Sequence, residues 1–488
     1  MTDNKICITI EQKIKKAKKK IDTCIEKEKY EDALELIQAF SWILYEYNQY
    51  YYDEHFEKCI QIISDKVLNS ENDYVSSKNT ILFFDAFGLN SRGLAQIYIK
   101  ALCKRYNVVY VTYDRQKNNI PDILRILREN NGSAYYLTQS NCLKMIERLN
   151  VIVEKVRPEI MFMYDVPDDV VGTVVFNHYK GKTKRFQINL TDHAFWLGTT
   201  AFDYCLEFRN YGASISNYYR NISLEKLLIL PYYPIINSDI EFEGYPFQFD
   251  DKENLLVFSG GALYKTLGAE NRYYKIVDYI LSSYPEIVFW YAGSGDCTEM
   301  NKLKNKYSNR IFITEEREDL NEILKRCTFY LSTYPVCGGL MFQYAAMAGK
   351  VPVTLKFDNI SDDILINQGE LNVEFLCFEE MKREIKRLIK DKEYRIAREE
   401  KMKKAVISEV EFENELFSAL DNGKTSYPVV IKEIDIASTK AEYISRFKFK
   451  NLYCGLARKD AIQVCKYFPI EFMFGVLLKI SYKMMRFN

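Results

Sequence analysis

The fold of this chain is constrained most by short apolar segments that alternate with amphipathic ones. Seven such apolar segments follow Asn79, and after a break the alternation restarts with six more. Because buried parallel strands occur as short apolar runs separated by helices, this pattern predicts an α/β protein with two consecutive Rossmann-like domains. The predicted strands are 80–86, 107–113, 134–138, 159–165, 185–190, 202–208 and 226–231 in the first domain, and 255–261, 286–295, 310–314, 328–333, 350–355 and 372–377 in the second.

Changes in this pattern mark the domain boundaries. Residues 8 to about 70 carry apolar side chains at helical spacing, and the polar, aromatic stretch from Pro234 to Glu253 separates the two α/β domains as a linker. We therefore divide the chain into four regions. They are a helical N-terminal region (1–75), a first Rossmann-like domain (76–240), a second Rossmann-like domain (241–425) and a group of C-terminal helices (426–488).

Composition and charge exclude several classes of function. A chain of 488 residues is too long for one core. Its 67 Lys and Arg balance its 67 Asp and Glu, so no nucleic-acid partner is predicted. The 12 cysteines form no C-x-x-C pair, which favours reduced thiols. The charged N-terminus does not resemble a signal peptide, and no apolar run reaches the ~18–20 residues of a membrane span, so we expect a cytoplasmic protein.

The strongest candidate for a binding site lies within residues 333–355. A predicted strand runs into a turn, and Gly338 and Gly339 then open a helix. Unpaired N–H groups and the helix dipole attract anions at such a position, and glycines allow the ligand to approach closely. The pattern therefore predicts an anion site at Gly338 and Gly339, and Gln343 is the only long polar side chain on the helix.

This segment, TYPVCGGLMFQYAAMAGKVPVTL, resembles the loop and helix that hold the nucleotide diphosphate in GT-B glycosyltransferases, among them the bacterial group 1-like enzymes. Between Pro335 and Ala345 it lacks the E-x7-E glutamates of the large retaining family, and it is closer to O-GlcNAc transferase and related protein glycosyltransferases. The resemblance implies a GT-B fold, in which two Rossmann-like domains face each other across a cleft. It also implies that the first domain binds the acceptor, the second binds the donor, and the C-terminal helices pack back on the first.

The same resemblance implies further donor contacts in the second domain. The segment SGGALYKTLGAENRYY is similar to the first loop of the donor domain, where Gly260, Gly261 and the charge of Lys265 approach the phosphates, with Arg272 as a second basic candidate. Gly293, in the turn YAGSGD, corresponds to a loop near the base and ribose. Because no D-x-D motif is present, we predict no metal ion, and we expect no cofactor apart from the nucleotide-sugar, which is a substrate.

His193 is the candidate catalytic base. It is one of three histidines, and it follows a predicted strand of the first domain, where an imidazole can accept the proton of an acceptor hydroxyl. Asp192 either orients this histidine or serves as the base itself. The surrounding segment resembles the H-P-x-T-[TS]-G…DY region of protein O- and N-glycosyltransferases, with Ala194 in place of the proline. The loop 85–94 is similar to a GT-B loop that flanks the acceptor.

We therefore expect a hexosyltransferase-type enzyme that moves a sugar from a nucleotide-sugar to a glycan, lipid-linked or protein acceptor. The alternative is a GT-B-shaped subunit without catalysis that binds or stabilises a partner glycosyltransferase, and the missing acidic pair favours it. The N-terminal helices are compatible with either hypothesis and offer a docking surface. A sugar-nucleotide epimerase would need more histidines than three. The tail from Lys440 either packs on the first domain or lies on the inner face of a membrane.

Overall fold

A computed structural model describes residues 3–68, 74–89, 94–237, 239–250, 252–356 and 363–446, together with 465–467, 469 and 473. The chain forms two compact units: Met1–Leu230 with Leu416–Asn488, and Pro231–Glu415. Most of the tail beyond Lys440, for which the sequence left two placements open, lies outside the described residues, as does the part 90–93 of the loop 85–94. None of the described helices combines the length and the apolar character needed to cross a membrane.

Three helices begin the first unit: α1 (Asp3–Glu26), α2 (Tyr30–Tyr47) and α3 (Glu54–Val67). The side chain of Asp53 caps α3 by accepting hydrogen bonds from two backbone N–H groups of its first turn, each 3.1 Å long. Apolar side chains of all three helices join the same hydrophobic core as the sheet of this unit. The N-terminal helices are therefore packed into the first unit and do not form a core of their own.

A seven-stranded parallel sheet forms the centre of the first unit. Its order is β3-β2-β1-β4-β5-β6-β7, which extends the Rossmann order 3-2-1-4-5-6 by one strand. The strands are β1 (Ser77–Asp85), β2 (Asn107–Tyr113), β3 (Ser133–Leu137), β4 (Pro158–Tyr164), β5 (Lys184–Asn189), β6 (Tyr204–Glu207) and β7 (Leu227–Ile229). The helices that connect them are α4 (Leu94–Leu102), α5 (Pro121–Glu129), α6 (Cys142–Val156), α7 (Val170–His178) and α8 (Asn210–Arg220).

The second unit has a six-stranded parallel sheet in the Rossmann order, β10-β9-β8-β11-β12-β13. The strands are β8 (Leu255–Gly260), β9 (Ile287–Ala292), β10 (Ile311–Thr314), β11 (Phe329–Leu331), β12 (Pro352–Leu355) and β13 (Glu374–Phe375). The helices are α9 (Arg272–Ser283), α10 (Thr298–Lys306), α11 (Leu320–Arg326), α12 (Gly339–Met347), α13 (Gln368–Leu371), α14 (Phe378–Lys390) and α15 (Lys392–Met402). The prediction of an α/β protein with two Rossmann-like domains and a helical N-terminal extension is confirmed.

The segment between the two sheets belongs to the second unit. The sequence placed the boundary at residue 240, whereas the second unit begins at Pro231. Aromatic side chains of this segment pack on the edge of the second sheet. Phe247 stacks on Phe312 with the ring centroids 4.0 Å apart, and it also meets Trp290 edge-on at 5.4 Å. Burial of these rings explains why the segment joins the second unit.

The chain returns to the first unit within helix α16 (Glu409–Asn422), since the division falls after Glu415. Beyond this helix, residues 427–431 form an irregular segment, which we call the strap, followed by α17 (Ala437–Arg446). Alternate side chains of the strap pack on an apolar cluster of the first unit that includes Trp196 and Phe202. Its backbone is also bound, because the N–H of Val430 donates to the side chain of Asn210 over 2.9 Å. The strap thus completes the first unit.

Candidate functional site

The candidate anion site lies at the carboxyl ends of β8 and β11 in the second unit. These strands are neighbours, although the chain continues from β8 toward one edge of the sheet and from β11 toward the other. Such a topological switch point is where open α/β sheets bind ligands. Gly260 ends β8 and Leu331 ends β11, so the loops that follow them open at the same edge. The segments that contain Lys265 and Gly338 are these two loops.

The N-terminus of α12 carries the features of an anion site. Gly338 is the N-cap residue, and no side chain in the described parts of the chain caps the helix. The carbonyl of Gly338 accepts the first helical hydrogen bond, from the N–H of Phe342 over 3.0 Å, so the N–H groups between them have no partner within the helix. Gly338 is buried, but the residues on either side of it are half-buried, so the turn reaches the surface. The dipole of α12 favours negative charge at this point.

Lys265 brings a positive charge to the same point. A Cβ atom on Gly338 would lie 3.9 Å from the Nζ atom of Lys265 and 3.6 Å from the Oγ1 atom of Thr333. The two loops are tied together, because the N–H of Val336 donates to the carbonyl of Lys265 over 3.3 Å. Arg272, the second basic candidate, is exposed and pairs with Glu270 at 3.5 Å. The ammonium group and the helix N-terminus therefore converge where a phosphate or other anion can bind.

The glycines at this edge of the sheet serve different structural purposes. A Cβ atom on Gly293 would overlap the carbonyl oxygen of Gly261, and one on Gly260 would come within 2.9 Å of the carbonyl oxygen of Ala292. These two glycines therefore allow the ends of β8 and β9 to approach closely. Gly261 differs, because its φ of +119° is rarely adopted by other residues and, apart from its chain neighbours, no atom of the described residues lies within 4 Å of its Cβ position. Open space of this kind is available to a ligand.

Gln343 is held inside the second unit. It is buried, and its Nε2 atom donates to the carbonyl oxygens of Tyr232 at 2.9 Å and Ile364 at 3.3 Å. Its Oε1 atom has no hydrogen-bond partner in the described structure. Through its bond to Tyr232, the amide ties α12 to the start of the segment that lies between the two sheets in sequence. Since its N–H groups are already used, Gln343 has no donor left for a diphosphate.

His193 lies in the loop that follows β5 in the first unit. Its side chain is 45% exposed, and its Nδ1 atom lies 3.4 Å from Oδ1 of Asp192, whose side chain is only 1% exposed. Arg209 binds the same carboxylate with two nitrogens, at 2.5 and 3.0 Å. Burial by itself would raise the pKa of Asp192, but the charge of Arg209 and the hydrogen bonds from His193 and Arg209 hold it at about 2. Asp192 is therefore ionised, and because a carboxylate with so low a pKa is a weak base, it is better suited to orient His193 than to take a proton from an acceptor.

Two buried acids at the switch point of the first sheet were not singled out from the sequence. Asp85 ends β1, and burial raises its pKa to about 6 against the hydrogen bonds from Gly88 and Tyr110. Asp165 follows β4, and burial and the charge of Asp169 raise its pKa. Gln187 donates to Oδ1 of Asp165 over 2.6 Å, while Oδ2 has no partner among the described residues. The sequence does contain a pattern that could have indicated these two acids, because each directly ends an apolar run, TILFFD or EIMFMYD.

The part of the chain that the structure describes holds one group of potential metal ligands. Asp22 on α1 and His55 and Cys59 on α3 place ligand atoms within 4.8 Å of one another. The Nε2 atom of His55 lies 2.8 Å from Oδ1 of Asp22. This pair ties α1 to α3. None of the three residues belongs to the loops described above.

The two Rossmann-like domains place the protein in the GT-B fold class. No protein-family model and no curated protein matches the sequence. A point mutant of O-GlcNAc transferase from Thermobaculum terrenum is 15% identical over 83% of this chain and 81% of its own, with a TM-score of 0.52. A glycosyltransferase from Rickettsia africae is 11% identical over 71% of this chain and 100% of its own, with a TM-score of 0.51. A UDP-GlcNAc 2-epimerase from Neisseria meningitidis, 11% identical over 70% and 99%, has a TM-score of 0.46.

Proposed function

We propose that this protein is a glycosyltransferase that moves a sugar from a nucleotide-sugar to a glycan, lipid-linked or protein acceptor without a metal ion. One observation carries the proposal. At the switch point of the second sheet, the uncapped N-terminus of α12 and the ammonium group of Lys265 converge on one position beside Gly338. A diphosphate is the group in a nucleotide-sugar that such a position recognises. The GT-B fold of the two similar structures described above with TM-scores of 0.52 and 0.51 agrees with this proposal.

In the proposed reaction, the second unit holds the leaving group. The bond between the sugar carbon and the diphosphate oxygen breaks, and the electron pair remains on the diphosphate. Lys265 and the first N–H groups of α12 then face more negative charge than they did in the ground state, so they stabilise the transition state more than the bound donor. This stabilisation replaces the divalent cation that would otherwise neutralise the diphosphate.

The proposal assigns acceptor activation to the first unit. Nε2 of His193 takes the proton of the acceptor hydroxyl while the hydroxyl oxygen bonds to the sugar carbon. The buried carboxylate of Asp192, 3.4 Å from Nδ1, stabilises the imidazolium that forms. Arg209 keeps Asp192 ionised and fixed, so the proton stays on His193.

Saturation-transfer NMR with a panel of nucleoside diphosphates and nucleotide-sugars tests the donor assignment. We expect at least one nucleotide to bind, and its sugar conjugate to be consumed when acceptors are supplied. For His193→Ala we expect kcat to fall by about 10²–10⁴ with donor affinity within twofold. A panel in which nothing binds would exclude the proposal, and unchanged turnover in the variant would remove His193 from the mechanism.

A second candidate is a subunit that binds a nucleotide-sugar or a partner glycosyltransferase without catalysis. The observation in its favour is that α12 carries no acid and that the amide of Gln343 is engaged with backbone carbonyls. The same experiment separates the two candidates. Donor binding with no transfer to any acceptor, and no hydrolysis of the donor, would favour the binding subunit.

A further inference from the structure

The loop that carries His193 is irregular in conformation but mostly buried. Between Thr191 and Phe202 the chain forms turns, and most of its residues are inaccessible to solvent. A buried loop must satisfy its backbone N–H and C=O groups, since an unpaired one costs roughly 1–3 kcal/mol. Several of these groups are satisfied by side chains from the N-terminal helices, which lie more than 130 residues earlier in the sequence.

Asn48 binds the loop on both sides of Ala194. It ends α2 in the left-handed conformation, with φ 41° and ψ 46°, which Asn tolerates better than most residues. Its side chain is fully buried. The Nδ2 atom donates to the carbonyl of His193 and the Oδ1 atom accepts from the N–H of Phe195, each over 3.1 Å. The amide of Asn48 can make both bonds because it carries a donor and an acceptor.

Glu57, on α3, binds the far end of the same loop. Its Oε1 atom accepts hydrogen bonds from the N–H groups of Gly198, at 2.8 Å, and Thr199, at 3.2 Å. The Oε2 atom accepts from the hydroxyl of Thr200 over 3.2 Å. Burial raises the pKa of Glu57, and these hydrogen bonds act in the opposite direction. One carboxylate therefore gathers three donors of the loop.

Arg220, at the end of α8 in the Rossmann-like part of the unit, also binds the loop. Its guanidinium donates to the carbonyl oxygens of Asp192 and Ala194, at 2.9 and 2.5 Å. It also lies over the rings of Trp196 and Tyr51, at 5.2 and 5.4 Å from their centroids. Tyr51 follows α2, so the N-terminal helices contribute to this contact too.

From these contacts we infer that Asn48 is a positioning residue for His193, and that the N-terminal helices contribute to the catalytic apparatus of the first unit through the side chains that bind the His193 loop. Asn48 fixes the backbone on both sides of Ala194, the residue directly after His193, while the imidazole itself stays accessible beside Asp192. The inference rests on the proposed role of His193. It gives α2 and α3 a function that needs no partner protein.

Histidine NMR tests the inference without relying on activity. The chain has three histidines, so His193→Ala identifies the His193 signal. In Asn48→Ala we expect the His193 signal to shift and broaden, and kcat to fall tenfold or more with donor affinity within twofold. Ser64→Ala is the matched control, because Ser64 is equally buried on α3 but donates to Val174 over 2.9 Å, not to the loop. The control should leave the signal and kcat unchanged.

A folded Asn48→Ala protein with an unchanged His193 signal would overturn the inference. If Asn48→Ala does not fold, Asn48→Asp replaces it, since an ionised aspartate keeps the acceptor for Phe195 and loses the donor for His193. We expect a smaller shift of the same signal, and an unchanged signal would again overturn the inference. If the wild type binds no nucleotide, the proposed function fails, while the NMR result still decides whether Asn48 positions His193.

Discussion

Gly338 and Gly339 are adjacent in sequence, but their Cβ positions point into different surroundings. A methyl group on Gly338 would occupy the space between Thr333 and the ammonium of Lys265, with no contact shorter than 3.6 Å. On Gly339 it would instead press on Ile364 at 3.2 Å. The φ of Gly338 is −83°, so alanine is compatible with the backbone there. From the sequence alone, either glycine could have been the one that faces the ligand.

We therefore predict that Gly338→Ala weakens binding of a nucleoside diphosphate by about tenfold or more, because the methyl group takes the place of the phosphate. Gly339→Ala serves as the matched control and should bind within about threefold of the wild type. Isothermal titration calorimetry measures both. Equal affinity in Gly338→Ala and the wild type would show that the phosphate does not sit beside Lys265.

Asp85 makes the stability of the first unit depend on pH. Its pKa of about 6 in the folded protein is above the ordinary value, because burial favours the protonated form. Below about pH 4 the carboxyl is protonated in both the folded and the unfolded chain, so ionisation takes nothing away from the free energy of unfolding. As pH rises from about 4 to 6 the unfolded chain ionises first, and the free energy of unfolding falls.

We predict that the Asp85→Asn variant does not lose stability in this way as pH rises, because the asparagine side chain stays neutral. Between pH 4 and pH 7.5 the free energy of unfolding of the wild type should fall relative to the variant by up to roughly 3 kcal/mol, from a pKa shift of about two units. Urea unfolding at the two pH values measures the difference. A constant difference between the two proteins would mean that Asp85 ionises normally in the folded state.

The strap, residues 427–431, shows how an irregular element can be essential to a core. Val429 faces the apolar cluster, whereas Val430 points to solvent and is 42% exposed. We predict that Val429→Asp lowers the free energy of unfolding by about 1–3 kcal/mol, since it places a carboxylate against apolar side chains at a half-buried position. Val430→Asp, one residue along, should change it by no more than about 0.5 kcal/mol. Similar unfolding midpoints for the two variants would contradict this packing.

At the scale of elements, the sequence predicted the strands well and the edges of the units less well. Parallel strands are buried on both faces, so runs such as TILFFD are apolar throughout and easy to recognise. The linker boundary could not be placed in the same way, because the aromatic residues near Phe247 are equally suited to an exposed linker and to a packed edge. Which of these applies depends on Phe312, 65 residues away.

The candidate site was predictable in its position and not in its details. Glycines at strand ends predict one edge of a sheet for the candidate site, because parallel strands bring their carboxyl ends together. The direction of each side chain depends on tertiary contacts that no local pattern contains. Gln343 turns inward because two carbonyl groups lie there, and Asn48 reaches a loop 145 residues away.

At the scale of the whole molecule, each unit has its own sheet and its own hydrophobic core. We predict that a nucleoside diphosphate slows amide hydrogen exchange in the peptide that contains the first turn of α12 and in the loop around Lys265. The loop around His193 should exchange at the same rate with and without the nucleotide, because the proposed donor contacts belong to the second unit. Mass spectrometry of peptic fragments measures this, and protection confined to the first unit would refute the assignment of the donor site.

The first unit is discontinuous in sequence, since the second unit is inserted between Leu230 and Leu416. During synthesis, the early part of the first unit therefore leaves the ribosome before the strap has been made. The apolar cluster around Trp196 and Phe202 stays uncovered while about 185 further residues are translated. Only when the strap has left the exit tunnel can that surface be sealed. A nascent chain of this design therefore exposes apolar surface, which favours aggregation, for the whole time in which the inserted domain is translated.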